Sequence, residues 1–294
     1  MVVRRALVCC SLLLVAVSAD AKKHPKPDPQ DSDAATKRDK KSHRKGWPSP
    51  AAGPTMSGDP ELIFTFDDGP NPKTTPLVLD ALAKHHIHAT FFIVGDRITN
   101  FPKEAPAIIA RELREGHIVA NHTMTHKDLC KKSLDDDKAA HDIDDGKATI
   151  EKVTAGYTTV WFRTPYGVRC ERVENLLAER HLTHFHWDLD PQEWKHNNTQ
   201  KTLDYVEKAV GKMTGRNVLL MHDIKTATAE ALPQILDWID AENERRKESH
   251  QRRIRIIPSW QVAVERLPPG LADWIADAAP DPTTLAHAIG AVLP

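Results

Sequence analysis

The sequence predicts an α/β fold, a barrel-like domain of seven parallel strands covered by helices, over residues 59–265. Three observations predict it. After Gly58, short runs rich in β-branched and aromatic residues alternate with amphipathic stretches of helical length, and such alternation implies right-handed crossovers and a parallel sheet. Seven strand-like runs suit a barrel slightly smaller than the eight-stranded form, with an open doubly wound sheet as the alternative. No glycine-rich loop follows a strand, so a nucleotide-binding fold has no support.

In chain order, ELIFTF (61–66) forms the first strand and TTPLVLDALAKH (74–85) the first helix. ATFFIV (89–94) and EAPAIIARELREG (104–116) repeat the pair, and HIVANH (117–122) precedes the long helical stretch SLDDDKAAHDIDDGKATIEKV (133–153). VWFRTP (160–165) is followed by ERVENLLAERH (171–181), HFHWDLD (184–190) by TQKTLDYVEKAV (199–210), and NVLLMHD (217–223) by AEALPQILDWIDAENERRKE (229–248). RIRIIPS (253–259) supplies the seventh strand. The strands carry the β-formers and the intervening stretches carry helical periodicity with charged faces.

The flanks differ in composition. Residues 1–21 read as a secretory signal, with Arg4 and Arg5 before the apolar run 6–17 and small residues for cleavage after Ala19 or Ala21. Residues 22–58 are rich in Lys, Pro, Asp and Ser and are expected to be a disordered linker. Residues 266–294 form a C-terminal tail with two short apolar patches between prolines. No segment after the signal is long and apolar enough to span a membrane, so an exported, soluble, monomeric protein is expected, periplasmic or extracellular. The chain of 294 residues carries a formal charge of −1, which gives no global electrostatic case for a nucleic-acid partner. Removing the signal leaves Cys130 and Cys170, which read as one disulfide or as two buried thiols.

In a parallel α/β barrel, residues at the C-terminal ends of strands converge on one mouth. Those ends carry Asp67 and Asp68, then His122 and His126, then Arg163 with Tyr166, Asp190 with Trp194, and Leu220 with His222. The stretch DDGPNP alone is an ordinary turn. The spacing of NHTMTH puts its two imidazoles on one side of a helical turn, and one carboxylate with two imidazoles makes a catalytic zinc site with open positions. Their co-location at one mouth is what turns an ordinary turn into a candidate site.

The runs TFDDGP, HTMTH, RTPYG, DPQEW and LLMH stand in the order, and with about the spacing, of the five motifs of polysaccharide deacetylases. The region from Asp59 to Trp260 resembles this family, carbohydrate esterase family 4, the NodB-homology domain. The resemblance implies a distorted (β/α)7 barrel in a single catalytic domain. It also implies that Asp68, His122 and His126 bind a metal, Zn2+ or another divalent transition metal such as Co2+. Asp67 would then be the general base, Arg163 its orienting partner, His222 the general acid and Asp190 the carboxylate that tunes it. Leu220 would wall an acetyl pocket, the backbone N–H of Tyr166 would hold an oxyanion, and Trp194 would contact substrate. Where the family usually has a second Asp before the Trp, this chain has Glu193. The implied activity is removal of acetyl groups from a polysaccharide, with N-acetylglucosamine in peptidoglycan first. Chitooligosaccharides and acetylxylan are alternatives, and a non-catalytic carbohydrate-binding wall protein is the rival from another class.

Several groups are set aside. The cluster KHHIH (84–88) precedes the second strand, opposite the mouth, where cations suit a helix C-terminus. His184 and His186 read as hydrogen-bonded interior histidines. DIDDG (142–146) resembles part of a calcium loop but lacks its full spacing, and reads as a solvated helix face. Asn121 heads a glycosylation sequon inside the candidate site, where modification is incompatible with metal binding.

Overall fold

Period-2 alternation along the strands decides which side chains face the barrel interior and which face the helices. In the computed structural model, which describes Thr55 and residues 58–157 and 160–265, β1 (Glu61–Asp67) sends Leu62, Phe64 and Phe66 into one apolar cluster. Ile63 belongs to a second cluster, with Phe92, Ile118, Ala120, Trp161, Phe185 and Val218. The first cluster also contains Val78, Leu79, Leu82, Ile235 and Leu236 from surrounding helices and is the layer between strands and helices. The second lines the barrel. Alternate residues pointing to opposite faces require this split.

All sheet pairings among the described residues are parallel. The strands run in the order β5-β4-β3-β2-β1-β6, with β7 (Arg255–Ile256) on the first residues of β1. Here β2 is Thr90–Ile93, β3 Ile118–Asn121, β4 Trp161–Phe162, β5 Thr183–His184 and β6 Arg216–His222. Leu189 bridges to Leu219 of β6, so the segment leaving β5 curls round to the far edge of the sheet. The result is the α/β architecture of a distorted seven-stranded barrel, with the alternative of an open doubly wound sheet set aside.

The outer layer comprises α1 (Thr75–Lys84), α2 (Gly95–Asn100), α3 (Glu104–Arg114), α4 (Asp136–Val153), α5 (Glu171–Glu179), α6 (Glu193–His196), α7 (Thr199–Val210), α8 (Thr226–Glu248) and α9 (Ser259–Val264). Side-chain caps start two of them: Asp135 accepts from Lys138 N–H at α4, and Asn198 accepts from Lys201 N–H at α7. The six long helical stretches expected from periodicity are present. The short helices α2, α6 and α9 lack enough residues to show a period and were not expected.

The fifth strand differs from expectation. Only Thr183 and His184 pair with β4, Phe185 N–H donates to the Phe162 carbonyl, and the rest of HFHWDLD leaves the ladder. Asp188 and Leu189 N–H groups donate instead to the carbonyl of Val218, which closes the curl of a sheet too short to close by strand pairing alone. Cys130 and Cys170 are joined in a disulfide, Cα to Cα 5.9 Å. The expected signal (1–21), the expected linker apart from Thr55 and Gly58, and the tail (266–294) lie outside the described residues. No helix among the described residues is long and apolar enough to cross a membrane.

Candidate active site

On β1, β3, β4 and β6 the interior-facing series ends in a chemically capable residue. Ile63 and Thr65 lead to Asp67, Ile118 and Ala120 to His122, Trp161 to Arg163, and Val218 and Leu220 to His222. Strand register then sets the neighbours: Asp67 and His222 are directly opposite Cα partners on β1 and β6. The site is thus the next layer above the apolar filling of the barrel.

Arg163 is fully buried and forms the floor. Its Nη1 donates to Asp67 Oδ1 at 2.7 Å and to Thr65 Oγ1 at 2.9 Å, and its Nε donates to the Phe185 carbonyl at 2.7 Å. The Phe92 ring lies under the guanidinium, 4.1 Å from its centroid. Burial lowers the Arg163 pKa, and the Asp67 carboxylate opposes that shift. A buried cation paired and hydrogen-bonded in this way fixes Asp67 in one orientation.

Asp68, His122 and His126 offer one ligand atom each, all within 4.8 Å of one another. His126 Nε2 is 3.1 Å and His122 Nε2 3.5 Å from Asp68 Oδ1. His122 Nε2 also lies 3.6 Å from Asp67 Oδ2. His122 Nδ1 stands 2.7 Å from the Arg163 carbonyl oxygen, an acceptor, so Nδ1 donates there and Nε2 is the nitrogen turned toward Asp68. Burial would raise the Asp68 pKa, but the imidazoles of His126 and His122 hold its carboxyl well below the usual range. Asp68 Oδ1 is nevertheless buried without a hydrogen bond. An orphaned anionic oxygen facing two imidazole nitrogens fits a divalent cation.

The two histidines converge through a loop and not, as the spacing suggested, through a helical turn. Thr123 and His126 take left-handed φ of 69° and 55°, and Asp68 takes 73°. Left-handed non-glycine residues are costly and persist where surroundings enforce them. Thr123 Oγ1 accepts from the His126 N–H at 3.0 Å, and Asn121 Oδ1 accepts from the Thr123 N–H at 2.9 Å. Asn121 is buried and its amide also donates to the Ile143 carbonyl, so the sequon offers no attachment point.

The expectation for Asp190 is corrected. His222 Nδ1 meets Glu193 Oε1 at 2.8 Å, and the His222 N–H donates to the same oxygen at 2.7 Å. Asp190 Oδ1 instead accepts from the Gln192 N–H. That turn, with Gln192 at φ 58°, starts α6 and swings the longer Glu193 side chain, fully buried, beneath His222. Burial would lower the His222 pKa, but the charge and hydrogen bond of Glu193, followed by Asp68 and Asp67, raise it to about 9. The only sequence signal for Glu193 was its place directly before Trp194, at the position where the family usually puts a second aspartate.

Tyr166 has φ 60° in the turn Pro165–Gly167, and its ring packs edge-on to His126 at 4.7 Å. Gly167 is required there, since a Cβ would lie 2.5 Å from the Trp187 ring. Leu220 is buried on the inner face two residues before His222, and Trp194 is half-buried on α6 beside Glu193. His85 ends α1 and pairs with Asp237 and Asp240, and His184 Nε2 bonds Thr164 Oγ1 at 2.9 Å. Asp142 departs from the solvated-face reading: it is buried and accepts two hydrogen bonds from Thr125.

The family described as polysaccharide deacetylase matches residues 56–185. PdaC of Bacillus subtilis, a peptidoglycan-N-acetylmuramic acid deacetylase, is 37% identical over 175 residues, covering 60% of this chain and 35% of PdaC. A chitooligosaccharide deacetylase of Sinorhizobium fredii is 35% identical over 167 residues, covering 57% of this chain and 74% of that protein. PgdA of Listeria monocytogenes, a peptidoglycan-N-acetylglucosamine deacetylase, is 32% identical over 183 residues and is matched over 36% of its length. The match therefore spans about a third of the two peptidoglycan enzymes and about three quarters of the chitooligosaccharide enzyme. Among solved structures, PdaC superposes with a TM-score of 0.59 at 30% identity, covering 71% of this chain and 92% of that one.

Proposed function

The chain belongs to the polysaccharide deacetylase family, and from that premise we propose that it is an exported, zinc-dependent hydrolase. Its substrate is an N-acetylglucosamine-containing wall polymer, peptidoglycan first and chitin oligomers second. Two of the relatives above act on peptidoglycan and one on chitooligosaccharides by name. Export rests on the signal-like residues 1–21. The observation that carries the reaction class is the meeting of an Asp67–Arg163 pair, the Asp68–His122–His126 ligand set and the His222–Glu193 pair at one barrel mouth.

Asp68, His122 and His126 would hold the ion, with His122 presenting Nε2 because Nδ1 is committed to the Arg163 carbonyl. A divalent ion there would supply Lewis acidity, lowering the pKa of water at the site to about 7. Asp67 takes a proton from the attacking water. Arg163, gripping Oδ1, leaves Oδ2 turned toward the His122 side of the site. The nitrogen leaving the acetyl carbon departs poorly unless protonated, and His222 delivers that proton from its imidazolium form, which Glu193 stabilises. The Tyr166 backbone N–H donates to the oxygen that gains charge, and Leu220 offers the acetyl methyl an apolar wall.

The test is acetate release from peptidoglycan, chitooligosaccharides and acetylxylan, before and after chelation and with zinc restored. The expected result is release from the amide-linked polymers that disappears with chelator and returns with zinc. Full activity after exhaustive chelation, or glycan binding with no acetate from any polymer, overturns the proposal.

A further inference from the structure

We propose that Asp142, on α4 and outside the five family motifs, is a positioning residue that sets the metal affinity of His126. The two imidazoles of the ligand set are supported unequally. His122 sits on a strand end and its Nδ1 is anchored on the Arg163 carbonyl. His126 lies in the loop 122–130, and no group among the described residues hydrogen-bonds its Nδ1. Its placement therefore depends on the backbone of that loop, which holds left-handed residues at Thr123 and at His126 itself.

Helix α4 enforces that backbone. Asp142 Oδ1 accepts from the Thr125 N–H at 2.9 Å and from the Thr125 hydroxyl at 2.7 Å, and the Asp142 carbonyl accepts from the Met124 N–H at 2.7 Å. Both residues before His126 are thus tied to one helical residue whose side chain is buried. One turn further along, Gly146 lets the helix approach the loop: a Cβ there would lie 2.6 Å from Asn121 Oδ1 and 2.8 Å from the Met124 nitrogen. The motif DIDDG therefore serves a cation indirectly. Its first aspartate holds the loop that presents a ligand, and its glycine makes room for that loop.

The inference rests on the reading of Asp68, His122 and His126 as a metal site. Removing an outer partner of a ligand costs about 10–100-fold in metal affinity. Zinc affinity is measured by competition with a chromophoric chelator for the wild-type chain and for Asp142→Ala, Asp142→Asn and Thr125→Val, with the cobalt(II) absorption spectrum as a second readout. Thermal unfolding of each metal-free protein reports whether it is folded. Asp142→Ala is expected to lose affinity by about tenfold, the low end of that range because Asp142 holds Thr125 and Met124 and not the imidazole itself, with an altered cobalt spectrum. Thr125→Val, which removes one of the two bonds, loses less, and Asp142→Asn, which keeps an accepting oxygen, also loses less than the alanine variant. A folded Asp142→Ala with wild-type affinity overturns the proposal, and so does an asparagine variant as weak as the alanine one. Should the alanine variant fail to fold, unchanged affinity in Thr125→Val overturns it. Failure of the wild-type chain to bind zinc would instead sink the metal-site reading.

Discussion

Asp67 and Asp68 are adjacent, yet alternation and backbone twist give them different neighbours. Asp67 ends the inner-face series of β1 and meets Arg163, whereas Asp68, at φ 73°, turns toward His126. This division predicts that Asp67→Asn loses about 10²–10⁴-fold in kcat, the usual contribution of a positioned base, with little change in KM. Steady-state acetate release measures it, and a loss under tenfold contradicts it. His222 gives the pH dependence. Its raised pKa keeps the imidazolium populated up to about 9, so a step needing its proton fades as pH rises through that value. An ion on Asp68 cancels part of the push and brings the limb somewhat below 9. Glu193→Gln removes the largest upward influence, so the alkaline limb moves to lower pH by about one unit, tenfold in rate on its slope. A pH–rate profile with an unmoved limb contradicts the pairing. Asp67, His122 and His222 were legible in the sequence because each ends a strand-like period-2 run whose other members are apolar, Thr65 before Asp67 excepted. Glu193 was not, because a left-handed Gln192 redirects the chain between Asp190 and Trp194, and no periodicity encodes that turn.

The elements that could be read were those long enough to repeat. Helices α4 and α8 span several turns, and β1 and β6 alternate over seven residues each. By contrast β4 and β5 pair over two residues, and their register depends on neighbours distant in sequence. The disulfide belongs to this scale. Cys130 follows His126 by four residues and Cys170 follows Tyr166 by four, so the bond ties the loop carrying His126 to the turn whose ring packs on it. Closing a separation of 40 residues constrains the unfolded chain by about 4 kcal/mol in the chain-entropy account. The double variant Cys130→Ser/Cys170→Ser is therefore expected to unfold at lower temperature and to release zinc more readily. Calorimetry and chelator competition check both, and unchanged values in the two assays contradict the staple.

At the scale of the whole molecule, the parallel sheet gathers residues separated by about 150 positions onto one rim, since β1 lies between β2 and β6. That gathering was foreseen from strict strand–helix alternation, while closure of the curl through Leu189 was not, since the chain leaves the ladder to make it. Near-neutral net charge leaves substrate recognition to the site and its rim. The account centres on a division of labour between two neighbouring carboxylates, one holding an ion and the other free to move a proton. Zinc stoichiometry of Asp67→Asn beside Asp68→Asn, measured by elemental analysis after dialysis against a weak chelator, tests it most directly. One ion per chain in Asp67→Asn and none in Asp68→Asn is the predicted result; an ion retained by Asp68→Asn, or lost from a folded Asp67→Asn, would contradict it.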